Sequence, residues 1–429
     1  MRGHSDVRGD PALSYAGATI VRIKEIETFV VRAPLEGNKP HWGAGFWASD
    51  PRAHPGLPAG HPGDISTEYP PIWRNRALYA RSLDAAIVRL ETDTGIVGWG
   101  EAHTPVAPEA AQAVVDYLLK DVVYGRDPFD IWPIWENMYS TMRLRGHSAG
   151  FMLEAMSAVD IALWDIAGKA LGVPVAKLLG GQMRDRVPVY ASSLPRVHIS
   201  AGEAGWRGLA EMAARVVEEG YRAFKVKLGI DLEQDRHALQ VLRAAVGADI
   251  SIFVDVNGAY DLPLARKAGH MMQQAGVLWL EEPFMPENLR DYARLAQSLD
   301  VMVAGGECLC NRWVFNDFLV AGAMDLVQPD VSRAGGISES KRISDLADTY
   351  AVPFAPHVSV GTAIYMAASL QWAAAGPNLM ICEWPLEQTV VGNGILVEPF
   401  RFDRGFIQLS DEPGLGIVID EEALRQWQV

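Results

Sequence analysis

The stretch AFKVKLG at residues 223–229 decides the fold of this chain. Its apolar residues alternate with two lysines, which is typical of a short strand with one ionisable face. Seven more short apolar runs alternate with helical patterns: VPVYAS (187–192), SIFVDVN (251–257), VLWLEEP (277–283), VMVAGGE (301–307), DLVQPD (325–330), VPFAPH (352–357) and MICEWP (380–385). Eight strands with seven intervening helices predict parallel βαβ units.

In chain order the first run is VPVYAS. Each later run has an ionisable residue at or near its end, and these residues follow one another at intervals of 28, 26, 26, 23, 27 and 26 residues. These residues are Lys227, Asp255, Glu281, Glu307, Asp330, His357 and Glu383. One βα unit of a TIM-type barrel has about this length, since eight units take ~200–250 residues. We therefore predict an α/β fold with a modified (β/α)7β barrel and these side chains on its functional face. An open doubly wound sheet, which would scatter them along a crevice, is the alternative.

Three carboxylates end consecutive strands of this barrel: Asp255, Glu281 and Glu307. A salt bridge or a loop cap is the ordinary explanation for one such residue, but three buried like charges need a counter-charge. Oxygen ligands with open positions for water suit Mg²⁺, so we predict a metal site. Glu282 is the alternative to Glu281, and alternation along the strand allows only one of them to be a direct ligand.

Two bases flank the predicted metal site. Lys225 and Lys227 share the inward face of their strand, so each ammonium lowers the pKa of the other, and Lys227 is the expected general base. On the other side, His357 and Asp330 end neighbouring strands, where a carboxylate orients an imidazole. A structural lysine and a satisfied core histidine are the ordinary alternatives.

The pattern predicts a small-molecule carboxylate substrate between these two bases. Glu383, if protonated, is expected to donate a hydrogen bond to the oxyanion that develops on the substrate. Asn257 lies two residues beyond Asp255 on the same face, and with Lys225 it is a predicted substrate contact.

These motifs resemble those of the enolase superfamily, in which a Lys or His base acts beside Mg²⁺. The motifs most similar to its mandelate racemase subgroup are KVK (225–227), DVN (255–257), EEP (281–283), GGE (305–307), QPD (328–330) and PH (356–357). The muconate-lactonizing subgroup would have a lysine in place of Asp330. The resemblance covers about residues 20–429, and it implies one Mg²⁺ per subunit, a homo-oligomer and an N-terminal capping domain that closes over the barrel.

The rest of the chain fits this organisation. An alternating pattern from Thr19, a strand pair turned at Thr92–Gly95 and helices at about 107–123, 130–143 and 150–171 predict an α+β domain. We divide the chain into a disordered or extraneous extension (1–18), the capping domain (19–186), the barrel (187–395) and a C-terminal segment that packs back on the capping domain (396–429). A Pro-, Gly-, His- and Trp-rich segment at about 35–73 is a candidate lid or a surface insertion.

The amino-acid composition limits the classes of molecule that the protein is expected to bind and the compartment in which it is expected to work. The formal charge is −15, spread without long charge runs, so nucleic acid and anionic membranes are poor partners. The three cysteines, Cys308, Cys310 and Cys382, predict reduced thiols and ordinary small apolar residues rather than a zinc site. With no signal-peptide core or apolar run of membrane-spanning length, we expect a cytoplasmic protein.

Several reactions share the first step, removal of the proton α to a carboxylate. Because acid-sugar dehydratases are common in the resembled subgroup, and because Trp42, Trp47, Arg74 and Arg76 suit a polyhydroxylated anion, we favour dehydration of a sugar acid to a 2-keto-3-deoxy acid. Cycloisomerisation of a sugar-acid lactone or anhydro sugar acid, and racemisation or epimerisation of a 2-hydroxy acid, are the alternatives.

Two hypotheses that assign the chain to other classes of protein have less support in the sequence. GHSAG at 146–150 matches a serine-hydrolase nucleophile elbow with Ser148, but the residues before it predict a helix rather than a strand. A non-catalytic barrel with a decayed site would have lost a ligand or a base, and this chain has all of them.

Overall fold

The computed structural model describes residues 21–34, 82–197, 201–359, 361–386 and 390–429. The predicted extension at 1–18, the candidate lid at 35–73 and the side chains of Arg74 and Arg76 lie outside the described residues. Within the described part, no helix is long and apolar enough to cross a membrane.

An antiparallel sheet and a group of helices form the N-terminal part. Its elements are β1 (Ile23–Pro34), β2 (Ser82–Thr92), β3 (Val97–Ala102), α1 (Pro108–Val114), α2 (Lys120–Val123), α3 (Ile131–Arg143), α4 (Phe151–Leu171) and α5 (Val175–Leu178). A π-helical turn at Val115–Leu119 joins α1 to α2. The strands pair in the order β1-β2-β3, so the predicted strand pair is confirmed.

Strands and helices alternate through the second part. They are β4 (Arg186–Leu194), α6 (Gly202–Glu218), β5 (Ala223–Lys227), α7 (Leu232–Val246), β6 (Ser251–Asp255), α8 (Leu262–Gln274), β7 (Val277–Glu281), α9 (Leu289–Ala296), β8 (Met302–Gly305), α10 (Arg312–Val320), β9 (Leu326–Val327), α11 (Gly336–Thr349), α12 (Ala363–Ala375) and β10 (Cys382–Pro385). Seven helices of the described residues connect these strands, which is the number predicted from the sequence.

The strands of this part close into a barrel. They pair in parallel from β4 to β9, and β10 pairs with β4. Single parallel bridges from Val327 to Phe354 and from Phe354 to Leu379 continue the pairing between β9 and β10. The predicted barrel is therefore confirmed, and the open doubly wound alternative is wrong because the first and last strands are neighbours.

The predicted strand VPFAPH differs from expectation, because isolated bridges rather than a continuous ladder hold it. Pro353 and Pro356 have no N–H group and cannot donate to a neighbouring strand. Pro329 has the same effect on the strand before it, which is reduced to Leu326–Val327. The segment still occupies the seventh strand position, since Asp330 and His357 form a parallel bridge.

The register of the parallel strands brings the predicted site residues to one end of the barrel. Lys227 pairs with Asp255, Asp255 pairs with Glu281, and Glu281 pairs with Ala304. Because these pairs lie at the carboxyl ends of their strands, the side chains converge on the face where barrel active sites form.

Helix α4 joins the two parts of the molecule. It is buried from Met152 to Gly168 and packs on β3 on one side and on α11 on the other. The backbone of β3 approaches so closely that a Cβ at Gly100 would lie 1.7 Å from the carbonyl oxygen of Ala158. Gly172, in the left-handed region at φ 67°, ends the helix.

The C-terminal segment contacts both parts. A short hairpin of β11 (Arg401–Asp403) and β12 (Phe406–Gln408) pairs antiparallel with β4. After helix α13 (Glu421–Arg425), the backbone N–H of Val429 donates to the carbonyl of Val30 in β1 at 3.0 Å. The C-terminal segment thus contacts both β4 and β1.

Asp160, a carboxyl in the contact between α4 and α11, makes the stability depend on pH. It accepts hydrogen bonds from the backbone N–H and the hydroxyl of Ser338, at 2.9 and 2.6 Å. Burial raises the pKa of Asp160 from 3.8 to about 7, despite these bonds. The folded protein therefore holds this proton more tightly than the unfolded chain, so stability falls as the pH rises from about 4 to about 7.

Asp160→Asn removes this titration, so we expect the free energy of unfolding of the variant to improve relative to wild type as the pH rises from about 4 to about 7. One such proton changes the stability by up to about 1.4 kcal/mol per pH unit. Urea unfolding at several pH values measures the difference, and Asp317→Asn, which removes an exposed carboxyl, is the control. Parallel pH profiles for wild type and Asp160→Asn would contradict the prediction.

Candidate active site

The carboxylates predicted as metal ligands lie together at the carboxyl end of the barrel. One oxygen from each of Asp255, Glu281 and Glu307 lies within 4.8 Å of the other two. Oxygen Oε2 of Glu307 is buried and accepts no hydrogen bond from the described residues, although His357 Nε2 lies 3.4 Å away from it. Three converging carboxylates with an unpartnered buried oxygen fit a hard divalent cation, which binds oxygen ligands.

Glu282 also reaches this region, against expectation. Its oxygen, an oxygen of Glu307 and the Sγ of Cys308 form a second, overlapping group within 4.8 Å. Alternation along β7 would have directed Glu281 and Glu282 to opposite sides, but Glu282 has a left-handed φ of 44°, so the chain turns there and alternation ends. Cys308, expected to be an ordinary small residue, therefore lies beside the candidate ligands.

Hydrogen bonds distinguish the two glutamates. Glu281 Oε1 lies 2.6 Å from the Lys225 ammonium, and its Oε2 accepts from Gln328 at 2.7 Å and from the indole N–H of Trp279 at 3.2 Å. Glu282 Oε2 instead accepts one long hydrogen bond, from the Asn257 amide at 3.4 Å. The environment of Glu281 is built to orient a carboxylate, as the outer partners of metal ligands do.

The two lysines of β5 lie against these carboxylates. The Lys225 ammonium is buried, 2.6 Å from Glu281, 2.7 Å from Glu383 and 3.7 Å from Asp255. The Lys227 ammonium forms a short ion pair with Asp255 and donates to Asn257 Oδ1 at 3.1 Å. The structure thus brings Lys227 and Asn257 to the same side of the carboxylate group.

The expected lowering of the lysine pKa is wrong for this arrangement. Burial lowers the pKa of Lys227, and so does Lys225, but nearby carboxylates, Asp255 first, raise it above its ordinary value. The pKa of Lys225 is also raised, by Glu281 and Glu383, against the effect of burial. The sequence shows that two ammonium groups are neighbours, but not how many carboxylates surround them.

Lysine charge keeps Asp255 ionised. Burial alone would raise the pKa of Asp255, but Lys227 and Lys225 hold it well below its usual range. Glu281 responds differently, because burial raises its pKa to about 7 even with Lys225 beside it.

His357 and Asp330 form the predicted pair on the opposite side. The His357 ring nitrogen Nδ1 lies 2.7 Å from Asp330 Oδ2, while Nε2 faces Glu307 Oε2 at 3.4 Å and Glu383 Oε2 at 3.8 Å. Burial lowers the pKa of His357, but Glu307, Glu383 and Asp330 raise it to about 9. Because Asp330 occupies Nδ1, the nitrogen that faces the site is Nε2.

Glu383 does not match the predicted protonated donor. Its Oε1 accepts from Ser192 in a short hydrogen bond and lies 2.7 Å from Lys225, and its Oε2 accepts from the backbone N–H of Val358 at 3.0 Å. Burial raises the pKa of Glu383, but Lys225 and His357 lower it below its ordinary value. Surrounded by donors, Glu383 is an acceptor in this arrangement.

Several residues at the site were not predicted. Tyr365 donates a short hydrogen bond to Asp330, and the ring of His103 lies 5.2 Å from that of Tyr365 and 6.3 Å from that of His357, between centroids. Neither residue belongs to a strand-end motif of the barrel, so the repeat spacing did not point to them. Gln328 could have been found, because it lies two residues before Asp330 in QPD.

The nucleophile-elbow reading of GHSAG is wrong. Ser148 lies in the loop between α3 and α4, whereas a nucleophile elbow joins a strand to a helix. The Ser148 carbonyl accepts a hydrogen bond from the Asn311 amide at 3.0 Å, which gives the segment a structural contact.

Comparison with known proteins agrees with this geometry. Residues 79–180 match the family model of the mandelate racemase / muconate lactonizing enzyme N-terminal domain, and residues 208–423 match that of the enolase C-terminal domain-like family. D-galactarolactone cycloisomerase of Agrobacterium fabrum is 36% identical over 354 residues, which cover 80% of this chain and 91% of the relative.

Arabinonate dehydratase of Saccharolobus solfataricus is 32% identical, over 82% of this chain and 93% of the relative. A solved structure of an enolase superfamily member from Agrobacterium tumefaciens superposes with a TM-score of 0.83 at 28% identity, covering 95% of this chain and 99% of that one. The resemblance seen in the sequence is thereby confirmed. This chain belongs to the enolase superfamily, in its mandelate racemase subgroup.

Proposed function

We propose that this enzyme dehydrates a sugar acid, an aldonate or an aldarate, to a 2-keto-3-deoxy acid. The observation that carries the proposal is that Lys227 contacts Asp255 while His357, held by Asp330, faces Glu307, so the two bases meet different members of one carboxylate group. A substrate carboxylate bound there would have its α carbon between a lysine nitrogen and an imidazole nitrogen. Removal of the α proton requires such a positioned base.

Asp255, Glu281 and Glu307 are the residues that we propose to hold one Mg²⁺. When bound, the cation supplies positive charge that stabilises the negative charge developing on the substrate carboxylate as the α proton leaves. The carboxylates that raise the pKa of Lys227 belong to the same group. Sharing their charge with a cation would leave less of it to hold the lysine proton, which favours Lys227 as a base.

Each remaining residue has a proposed task. Lys227 takes the α proton at Nζ. His357, when protonated, delivers a proton from Nε2 to the departing β-hydroxyl, and Asp330 holds the ring through Nδ1. Glu383, as a carboxylate, fixes Lys225 and accepts hydrogen bonds near the substrate, while Asn257 and Lys225 contact the substrate.

The names of the two relatives support a sugar acid as the substrate and point to two different reactions. One is named for arabinonate dehydration and the other for D-galactarolactone cycloisomerisation. Cycloisomerisation of a sugar-acid lactone or anhydro sugar acid is therefore our second candidate, and it is supported by the higher identity of the cycloisomerase. Racemisation or epimerisation of a 2-hydroxy acid uses the same two bases and is the third.

We expect the purified enzyme with Mg²⁺ to form a keto acid from at least one member of a panel of aldonic and aldaric acids and their lactones. Semicarbazide traps the keto acid, and proton NMR in D₂O follows the α proton. A Glu281→Gln preparation, which lacks one proposed ligand, controls for contaminating enzymes. Exchange of the α proton without any keto acid would favour racemisation, and keto acid formed from a lactone but from none of the open-chain acids would favour cycloisomerisation. No conversion or exchange of any kind would favour a non-catalytic barrel.

We also propose that the protein is a cytoplasmic homo-oligomer. We place the boundaries of its domains after residues 18, 186 and 395. Sedimentation of the purified protein determines the number of subunits.

A further inference from the structure

The hydroxyl of Tyr365 meets the same oxygen that orients His357. Tyr365 is the third residue of α12 and is fully buried. Its hydroxyl donates a short hydrogen bond to Asp330 Oδ2, which also faces His357 Nδ1 at 2.7 Å. The other Asp330 oxygen accepts from the backbone N–H of Ser332 at 2.8 Å. The carboxylate is therefore held by donors at both oxygens.

Tyr365 is tied to the loop that carries His357. Its hydroxyl oxygen accepts from the backbone N–H of Ser359 at 3.1 Å, two residues after His357. The same oxygen lies 3.1 Å from the His357 carbonyl. The Tyr365 hydroxyl thus links the Asp330 carboxylate to the backbone that carries the His357 imidazole.

The N-terminal part of the chain sets the position of Tyr365. Glu101, on β3, accepts the backbone N–H of Tyr365 at 3.1 Å and that of Thr362 at 3.0 Å, so a carboxylate caps the first turn of α12. Two residues later, His103 packs its ring 5.2 Å from that of Tyr365. Contacts from outside the barrel therefore fix the tyrosine.

We propose that Tyr365 is a positioning residue for the acid–base group: its hydroxyl fixes Asp330, Asp330 fixes His357, and Glu101 holds the tyrosine from the N-terminal sheet. This inference deepens the proposed function and rests on its assignment of His357. A proton-transfer group must lie within hydrogen-bond reach of the reacting atom, and a displacement of about 1 Å can cost about 100-fold in rate. Without the hydroxyl, Asp330 Oδ2 keeps the contact with His357 Nδ1 but loses the donor from Tyr365, so the direction of His357 Nε2 is less tightly fixed.

Tyr365→Phe tests the proposal, because it removes the hydroxyl and keeps the ring. The matched control is Tyr260→Phe: Tyr260 is also buried and donates to a buried aspartate, Asp235, at 2.6 Å, but that aspartate does not contact His357. Thermal unfolding of both variants compares the cost of losing one buried tyrosine–carboxylate hydrogen bond. A purely structural role predicts similar behaviour for the two variants.

In Tyr365→Phe we expect product formation to fall about 10- to 100-fold, the usual cost of losing an outer partner of a site residue. Exchange of the substrate α proton into D₂O, which depends on Lys227, should stay near the wild-type rate. The ratio of exchange to product formation therefore rises in Tyr365→Phe and not in Tyr260→Phe. Equal losses of exchange and product formation in Tyr365→Phe, or no loss, would overturn the proposal.

A second readout needs no substrate. In the Mg²⁺-loaded protein labelled with ¹⁵N-histidine, the His357 ring signals, assigned by their loss in His357→Asn, should shift in Tyr365→Phe and not in Tyr260→Phe. Unchanged signals would overturn the proposal whichever reaction the enzyme catalyses, whereas a panel without keto acid affects only the proposed function. If Tyr365→Phe does not fold, Glu101→Gln, which keeps the hydroxyl but weakens its support, should give the same change in ratio to a smaller degree.

Discussion

Lys227→Ala should abolish both exchange of the substrate α proton and product formation, whereas His357→Asn should abolish product formation and retain exchange. The two effects differ because only Lys227 is proposed to take the α proton, and its ammonium then exchanges with solvent. His357 acts after that step, on the departing hydroxyl. Loss of a general acid or base typically costs about 10²- to 10⁴-fold in rate.

Exchange is measured by NMR in D₂O with the substrate found in the panel, and product formation by semicarbazide trapping in parallel. Lys177→Ala and His270→Asn, which change exposed residues of the same types, are the controls and should retain both activities. Full turnover and full exchange in both site variants would refute the two-base assignment. Retained exchange in Lys227→Ala, with its loss in His357→Asn, would instead reverse the two roles.

Glu281→Gln should weaken Mg²⁺ binding far more than Glu282→Gln. The group of Asp255, Glu281 and Glu307 offers only oxygen ligands, which Mg²⁺ prefers, while the group containing Glu282 includes the Cys308 thiol. Loss of an outer partner already costs about 10- to 100-fold in metal affinity, so we expect loss of a direct ligand to cost more than about 100-fold.

Titration calorimetry with MgCl₂ measures the affinity, and glutamine keeps the size of the side chain in both variants. Cys308→Ala is a further control, because removing the thiol should leave Mg²⁺ affinity near that of wild type. A larger loss in Glu282→Gln than in Glu281→Gln would assign the ligand to Glu282. Removal of Mg²⁺ by a chelator should abolish turnover, and adding it back should restore turnover.

The barrel and the convergence of its polar residues were predictable because strand length and helix length repeat along the chain. Asp255, Glu281 and Glu307 end regular parallel strands, so their spacing in sequence sets their proximity in space. The site departs from simple alternation where the backbone is irregular. Glu282 turns into the left-handed region, and Pro356 interrupts the pairing next to His357.

The charge states of the site residues were less predictable from the sequence than their positions. The sequence shows Lys225 and Lys227 as neighbours, but three carboxylates from other strands surround the Lys225 ammonium and reverse the expected pKa shift. Glu383 was expected to donate a hydrogen bond if protonated, yet, against the effect of burial, Lys225 and His357 lower its pKa below its ordinary value. Such environments depend on distances between elements, which no local pattern contains.

Helix α4 has a consequence for how the chain folds. Its buried surface faces β3 on one side and α11 on the other, and one continuous apolar core runs from Ile23 in β1 to Leu424 in α13. Severing the chain near residue 186 would leave α4 with one side open to water, and each fragment would expose apolar surface that the other now covers. We therefore expect the two regions matched by separate family models to unfold as one cooperative unit, and neither to be stable when produced alone.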